Sequence, residues 1–60
     1  MSVYTVFIDG EVFADLTAID DSHALLFVLE YGLDSFTLCR TGVNHTIIRT
    51  VAEVNNKTVC

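Results

Sequence analysis

Val3-Tyr4-Thr5-Val6-Phe7-Ile8 runs straight into Asp9-Gly10 and on into Glu11-Val12-Phe13-Ala14-Asp15-Leu16-Thr17-Ala18, and this stretch decides the fold. Every residue of the first run is β-branched or aromatic, and the second run alternates. Asp-Gly between them favours the tight turn that needs two residues with positive φ. An antiparallel hairpin is expected. A two-residue turn pairs Ile8 with Glu11, Val6 with Phe13 and Tyr4 with Asp15, which places these six on one face. Phe7 with Val12, Thr5 with Ala14 and Val3 with Leu16 take the other, and this nearly all-apolar set is expected to meet the core. The first set then forms an outer face, with Tyr4, Val6, Ile8 and Phe13 rimmed by Glu11 and Asp15.

Downstream, Asp20-Asp21-Ser22 supplies side-chain oxygens for a helix N-cap and negative charge at the positive end of the helix dipole. Gly32 supplies the left-handed stop. A helix over residues 22–31 follows. Ser22, His23, Leu26 and Glu30 fall on one side, while the apolar residues from Ala24 to Tyr31 span about 200° of arc, more than one sheet covers. Leu26 stands alone among polar neighbours. Ser35 to Arg40 alternates again, Thr41-Gly42 reads as a turn, and Val43 to about Val54 reads as a last strand. The helix reverses the chain, so the strands on either side of it run parallel, and the third strand is best placed antiparallel beside the first. The expected fold class is α+β: a four-stranded, mostly antiparallel sheet in ββαββ order 2-1-3-4, with one helix on one face. It forms one domain over residues 1–60, with residues 55–60 a frayed tail. An alternative has Ile47 to Val54 folding over the outer face as a second layer.

Apolar residues make up 52% of the 60 residues. A domain this small buries only about 60% of the surface of its unfolded chain, so a surplus must face water, a second copy or a partner. Self-association, as a dimer or larger, is the expectation. Residues 1–34 hold Asp9, Glu11, Asp15, Asp20, Asp21, Glu30 and Asp34 with no Lys or Arg, whereas residues 35–60 hold Arg40, Arg49 and Lys57 against Glu53. An acidic first half argues against direct nucleic-acid binding and against anionic membranes. A basic or apolar partner surface suits it better. Met1-Ser2-Val3-Tyr4 lacks the basic start of a secretory signal, and the longest helical apolar run, Ala24 to Leu29, is far short of a bilayer span. A cytoplasmic location is therefore expected, which leaves the sequons at Asn44 and Asn56 without meaning.

Chemistry has little foothold here. His23, Cys39, His45 and Cys60 are too widely spaced for a metal clip, and no glycine-rich phosphate loop exists. A Thr41-Gly42 hairpin would set Leu38 opposite His45 and put Cys39 on the reverse face, which separates the thiol from the imidazole. A Cys39–Cys60 bridge would tie a strand to a tail. No metal, no cofactor and no enzymatic activity are expected.

A strand hairpin followed by TAIDDSHALLFVLEYGLDSFTL, residues 17–38, resembles the small acidic bacteriophage proteins that take over host machinery, in particular the phage inhibitor of bacterial RNA polymerase. The likeness covers roughly residues 3 to 40 and rests on a strand, acids opening a helix with Ala24 and Leu25, and a strand after a glycine. It lacks a matching basic strand, and the helix here is more apolar. It implies a non-enzymatic, phage-encoded inhibitor acting in the host cytoplasm by occupying a host protein's surface. The residues expected to meet a partner are Tyr4, Val6, Ile8 and Phe13 on the outer face, Asp15, Asp20, Asp21 and Asp34 among the acids, and Leu26 on the helix. Two other readings stand beside this one: an acidic nucleic-acid mimic that docks on a DNA-binding protein, and a structural subunit whose task is assembly.

Overall fold

The computed structural model of the chain describes residues 1–55. Strands β1 (Ser2–Ile8) and β2 (Glu11–Ala18) form the hairpin, helix α1 (Asp21–Glu30) follows, and β3 (Phe36–Thr41) and β4 (Ile47–Val54) close the sheet. The order is β2-β1-β3-β4 with every neighbouring pair antiparallel. This is the α+β fold expected. The hairpin turn has Asp9 at φ 53° and Gly10 at φ 81°, the two left-handed residues that a twisted two-residue connection demands.

Helix α1 begins where the acids predict. The Asp20 carboxylate accepts the His23 backbone N–H at 2.8 Å, which satisfies one of the donors that the first turn cannot pair internally. At the other end the Gly32 N–H bonds the Leu29 carbonyl, and Gly32 takes φ 77°, so the helix stops. Ala24 and Val28, one turn apart, are the helix residues fully buried against the sheet, and Leu25 packs at the margin.

The β1/β2 register departs from the expected one after two pairs. Ile8↔Glu11 and Phe7↔Val12 hold, but a β-bulge then leaves Phe13 unmatched, so Val6 faces Ala14, Tyr4 faces Leu16 and Ser2 faces Ala18. The inner and outer sets of β1 are thereby the reverse of those expected. Tyr4 (1% exposed) and Val6 (0%) belong to the core with Leu38, Phe36, Ala18, Ala24 and Val28, and Ile8 packs against it. The physical reason is fit. Tyr4, Val6 and Ile8 supply a continuous large apolar row for the helix, while on the other side the buried Thr5 hydroxyl finds hydrogen-bond partners in Asp15 and Thr41.

Strand β4 is the edge of the same sheet, not a second layer over it. It starts later than expected because Val43–His45 forms a single 3-10 turn, with Asn44 and His45 both left-handed at φ 59° and 60°. Its register against β3 shifts twice, near Ile48 and near Val51. Leu38 therefore faces Ala52, and His45 lies in the connection, not opposite Leu38. Asn55 is pinned: its side-chain amide donates to the Asp34 carbonyl at 2.6 Å, and Ser35 Oγ donates to the Asn55 carbonyl at 3.3 Å. The expected frayed tail otherwise lies outside the described residues, as does any bridge from Cys39 to Cys60. No helix among the described residues is long and apolar enough to cross a membrane.

Candidate protein-binding surfaces

A sheet with one helix on one side has a second side to account for. Here that outer side carries Val3, Thr5 and Phe7 of β1, Thr37, Cys39 and Thr41 of β3, and the residues of β2 and β4 that pair with them. Val12 on β2, 52% exposed, lies beside Phe7, and Ile47 on β4, 54% exposed, lies beside Thr41, so these two apolar side chains occupy diagonally opposite corners of this side. Next to each stands the exposed residue that a bulge leaves unmatched, Phe13 and Ile48.

Between the corners the polar groups satisfy one another. Thr5 Oγ1 donates to Asp15 Oδ1 at 2.9 Å and lies 3.0 Å from Thr41 Oγ1; both threonines are buried. The β3–β4 connection leans over this end of the sheet far enough for His45 Nε2 to reach Asp15 Oδ2 at 3.5 Å, on the opposite edge strand. Its left-handed pair of residues is held by Gly42 N–H to the Thr46 carbonyl at 2.7 Å and Thr46 Oγ1 to the Val43 carbonyl at 3.0 Å. Cys39 Sγ, also buried, lies 3.8 Å from Thr50 Oγ1. Thiol and imidazole thus share the outer side after all, but each has a different partner.

The second surface is the solvent side of α1. Leu26 is 58% exposed and Leu29 48%, one turn apart, with Glu30 beside them and Tyr31 (65%) at the helix end. His23 packs against Phe27 with tilted rings, their centroids 4.7 Å apart, and its Nδ1 is shielded without a hydrogen-bond partner. Near the helix start, Tyr4 Oη donates to Asp21 Oδ1 at 2.7 Å, and Arg49 forms an ion pair with the other Asp21 oxygen. Arg40, opposite Arg49 in the sheet, lines the shallow cleft between Ser2, Tyr4 and Ser22.

The expected partner-binding residues therefore separate. Asp15 lies on the outer sheet side, Phe13 is half exposed at the β2 bulge, Leu26 is on the helix, and Asp34 is on the exposed loop after it. Asp20 and Asp21 are engaged within the chain as cap and ion pair. Tyr4, Val6 and Ile8 form core. The residues missed are Val12, Ile47 and Ile48. Their signal was present as the apolar doublets Val12-Phe13 and Ile47-Ile48, which break alternation inside a strand. Among the described residues, no three His, Cys, Asp or Glu side chains converge as a metal site would require. Comparison with known protein families, curated proteins and solved structures finds no match to this chain.

Proposed function

We propose that the chain is a non-enzymatic protein-binding module that acts by occupying the surface of another protein, as a self-associating inhibitor or modulator of a host protein would. One observation carries this. Among the described residues, twelve large apolar side chains are exposed while eight apolar residues form the buried core. Of the exposed ones, Val3, Val12 and Ile47 lie on the outer sheet side and Leu26 and Leu29 lie one turn apart on the helix, and exposed apolar groups that cluster mark interaction surfaces.

The nucleic-acid mimic fits less well. Of the acids it needs, Asp20 caps the helix, Asp21 pairs with Arg49, and Asp15 binds Thr5 and His45. Immobilised chain tested against a bacterial lysate, beside a Leu26→Lys, Leu29→Lys variant, separates the readings. The proposal expects a protein retained by the parent, released by the variant, and still held at high salt. Release driven by salt alone, with the variant unaffected, would favour the mimic, and identical retention by both chains would remove the helix from recognition.

A further inference from the structure

We infer that the apolar cleft beside the hairpin turn takes an arginine side chain of a partner protein. This rests on the reading above, that the chain occupies another protein's surface, and names a group which that surface presents.

The topology sorts the charges by end. Strands β1 and β4 and helix α1 finish, and β2 and β3 begin, at the end of the sheet marked by the Asp9-Gly10 turn, where the Asn55 amide ties β4 to the Asp34 carbonyl. Asp9, Glu11, Glu30, Asp34 and Glu53 all lie toward this end. Arg40 and Arg49 face one another across β3 and β4 toward the opposite end, where Arg49 pairs with Asp21. Among the described residues, no ion pair engages any of the carboxylates at the turn end. The last turn of α1, whose carbonyls carry the negative end of the helix dipole, has no basic residue to offset it.

Within this uncompensated end lies a cleft of about 280 Å³ lined by Ile8, Asp9, Glu11, Val12 and Phe13. Its volume falls short of the roughly 300–1,000 Å³ of small-molecule sites, so it suits one side chain reaching in from a larger surface. The lining selects which. Val12 and Phe13 are half exposed, and Ile8 packs at the edge of the core, so the cleft has an apolar wall beside two carboxylates. An aliphatic side chain would cover the wall and strip water from the carboxylates without replacing it. Lysine brings a compact charge that holds its own water tightly. Arginine meets both demands: its stem covers apolar surface, and its weakly hydrated guanidinium donates to two carboxylates and stacks on an aromatic face such as that of Phe13. A second copy of this chain is a poor source, since Arg49 is engaged by Asp21 and Arg40 lines the cleft between β1 and the start of the helix.

Amide NMR of the full chain, titrated at low salt with N-acetyl-arginine amide, tests this. The citrulline amide, alike in shape and uncharged, is the control. Raising the probe to about 50 mM reveals binding as weak as several millimolar. Saturating shifts are expected at Ile8, Asp9, Glu11, Val12 and Phe13, with citrulline binding about tenfold more weakly. Asp9→Asn with Glu11→Gln should weaken the arginine probe about tenfold, and asparagine tolerates the φ of 53° at position 9, so the turn is kept. If the double variant disturbs the hairpin, Glu11→Gln alone carries the test in the same direction. Asp20→Asn, at the opposite end and still able to cap the helix, should leave binding unchanged. No shift in the cleft overturns the inference, as do equal shifts around Asp20 and Asp21, which would mean charge attraction alone. Equal binding of citrulline overturns it by making the occupant an uncharged group, and the same shifts on concentrating the chain without probe would seat a second copy there. A failed titration beside a lysate protein still retained by the parent chain overturns the arginine cleft and leaves surface occupation standing.

Discussion

The phenol of Tyr4 donates to the carboxylate of Asp21 over 2.7 Å, tying the central strand to the first turn of the helix. Tyr4 is buried and Asp21 is also held by Arg49 from the far edge strand, so one carboxylate joins β1, α1 and β4. A bond from a phenol to a charged acceptor contributes more than a neutral one, and partial burial limits screening by water.

Tyr4→Phe keeps the ring and removes that donor. Stability in urea should fall by about 1 to 2 kcal/mol, with the denaturant slope unchanged. A loss no larger than measurement error would mean that Arg49 alone holds Asp21.

Leu38→Ala and Phe13→Ala form a contrasting pair that tests the bulged register. Leu38 is fully enclosed between β1, β4 and the helix, so its truncation should cost about 2 to 5 kcal/mol. Phe13 is half exposed, and its truncation should cost less than about 1 kcal/mol. Equal losses in the two chains would restore the unbulged pairing of Val6 with Phe13.

Asp20→Ala removes the N-cap oxygen from the His23 N–H. A cap of this kind is worth about 1 kcal/mol, which in so small a domain lowers the melting temperature by roughly 4 to 8 °C. Asp20→Ser, which restores an acceptor, should recover most of the loss. Failure of serine to do so would assign the effect to charge.

Gly10→Ala adds a methyl group that meets nothing within 4 Å, so any cost is conformational. At φ 81° an L-residue is strained, and a loss of about 1 kcal/mol is expected in thermal unfolding. Gly10→Asn, which tolerates left-handed backbone, should lose less.

Strand order was legible because each step had a local cause: Asp9-Gly10 dictates a hairpin, Asp20 and Gly32 bracket a helix, and the handedness of connections places β3 beside β1. The assignment of faces was not. Val3 to Ile8 is apolar or β-branched at every position, so its own pattern does not say which side is inward. Only its partner strand could say, and there a single unmatched residue, Phe13, inverts the pairing from Ala14 onward. Val12-Phe13 and Ile47-Ile48 were visible as doublets, but a doublet becomes a bulge only when a neighbouring strand fixes what lies on either side of it. The contact of His45 with Asp15 was hidden for a related reason, since it depends on two left-handed residues in a loop that reads as strand.

The bulges that shift the register also interrupt the two strands at which the sheet ends. A regular edge is a template: its free N–H and C=O groups invite another chain to add itself, and then another, without limit. On β2 and β4 the spacing of those groups is interrupted, at Phe13 and again near Ile48 and Val51. An incoming strand meets a kinked row that it cannot follow for more than a few residues. A chain so rich in exposed apolar side chains thereby offers a poor template for strand-by-strand growth into fibrils.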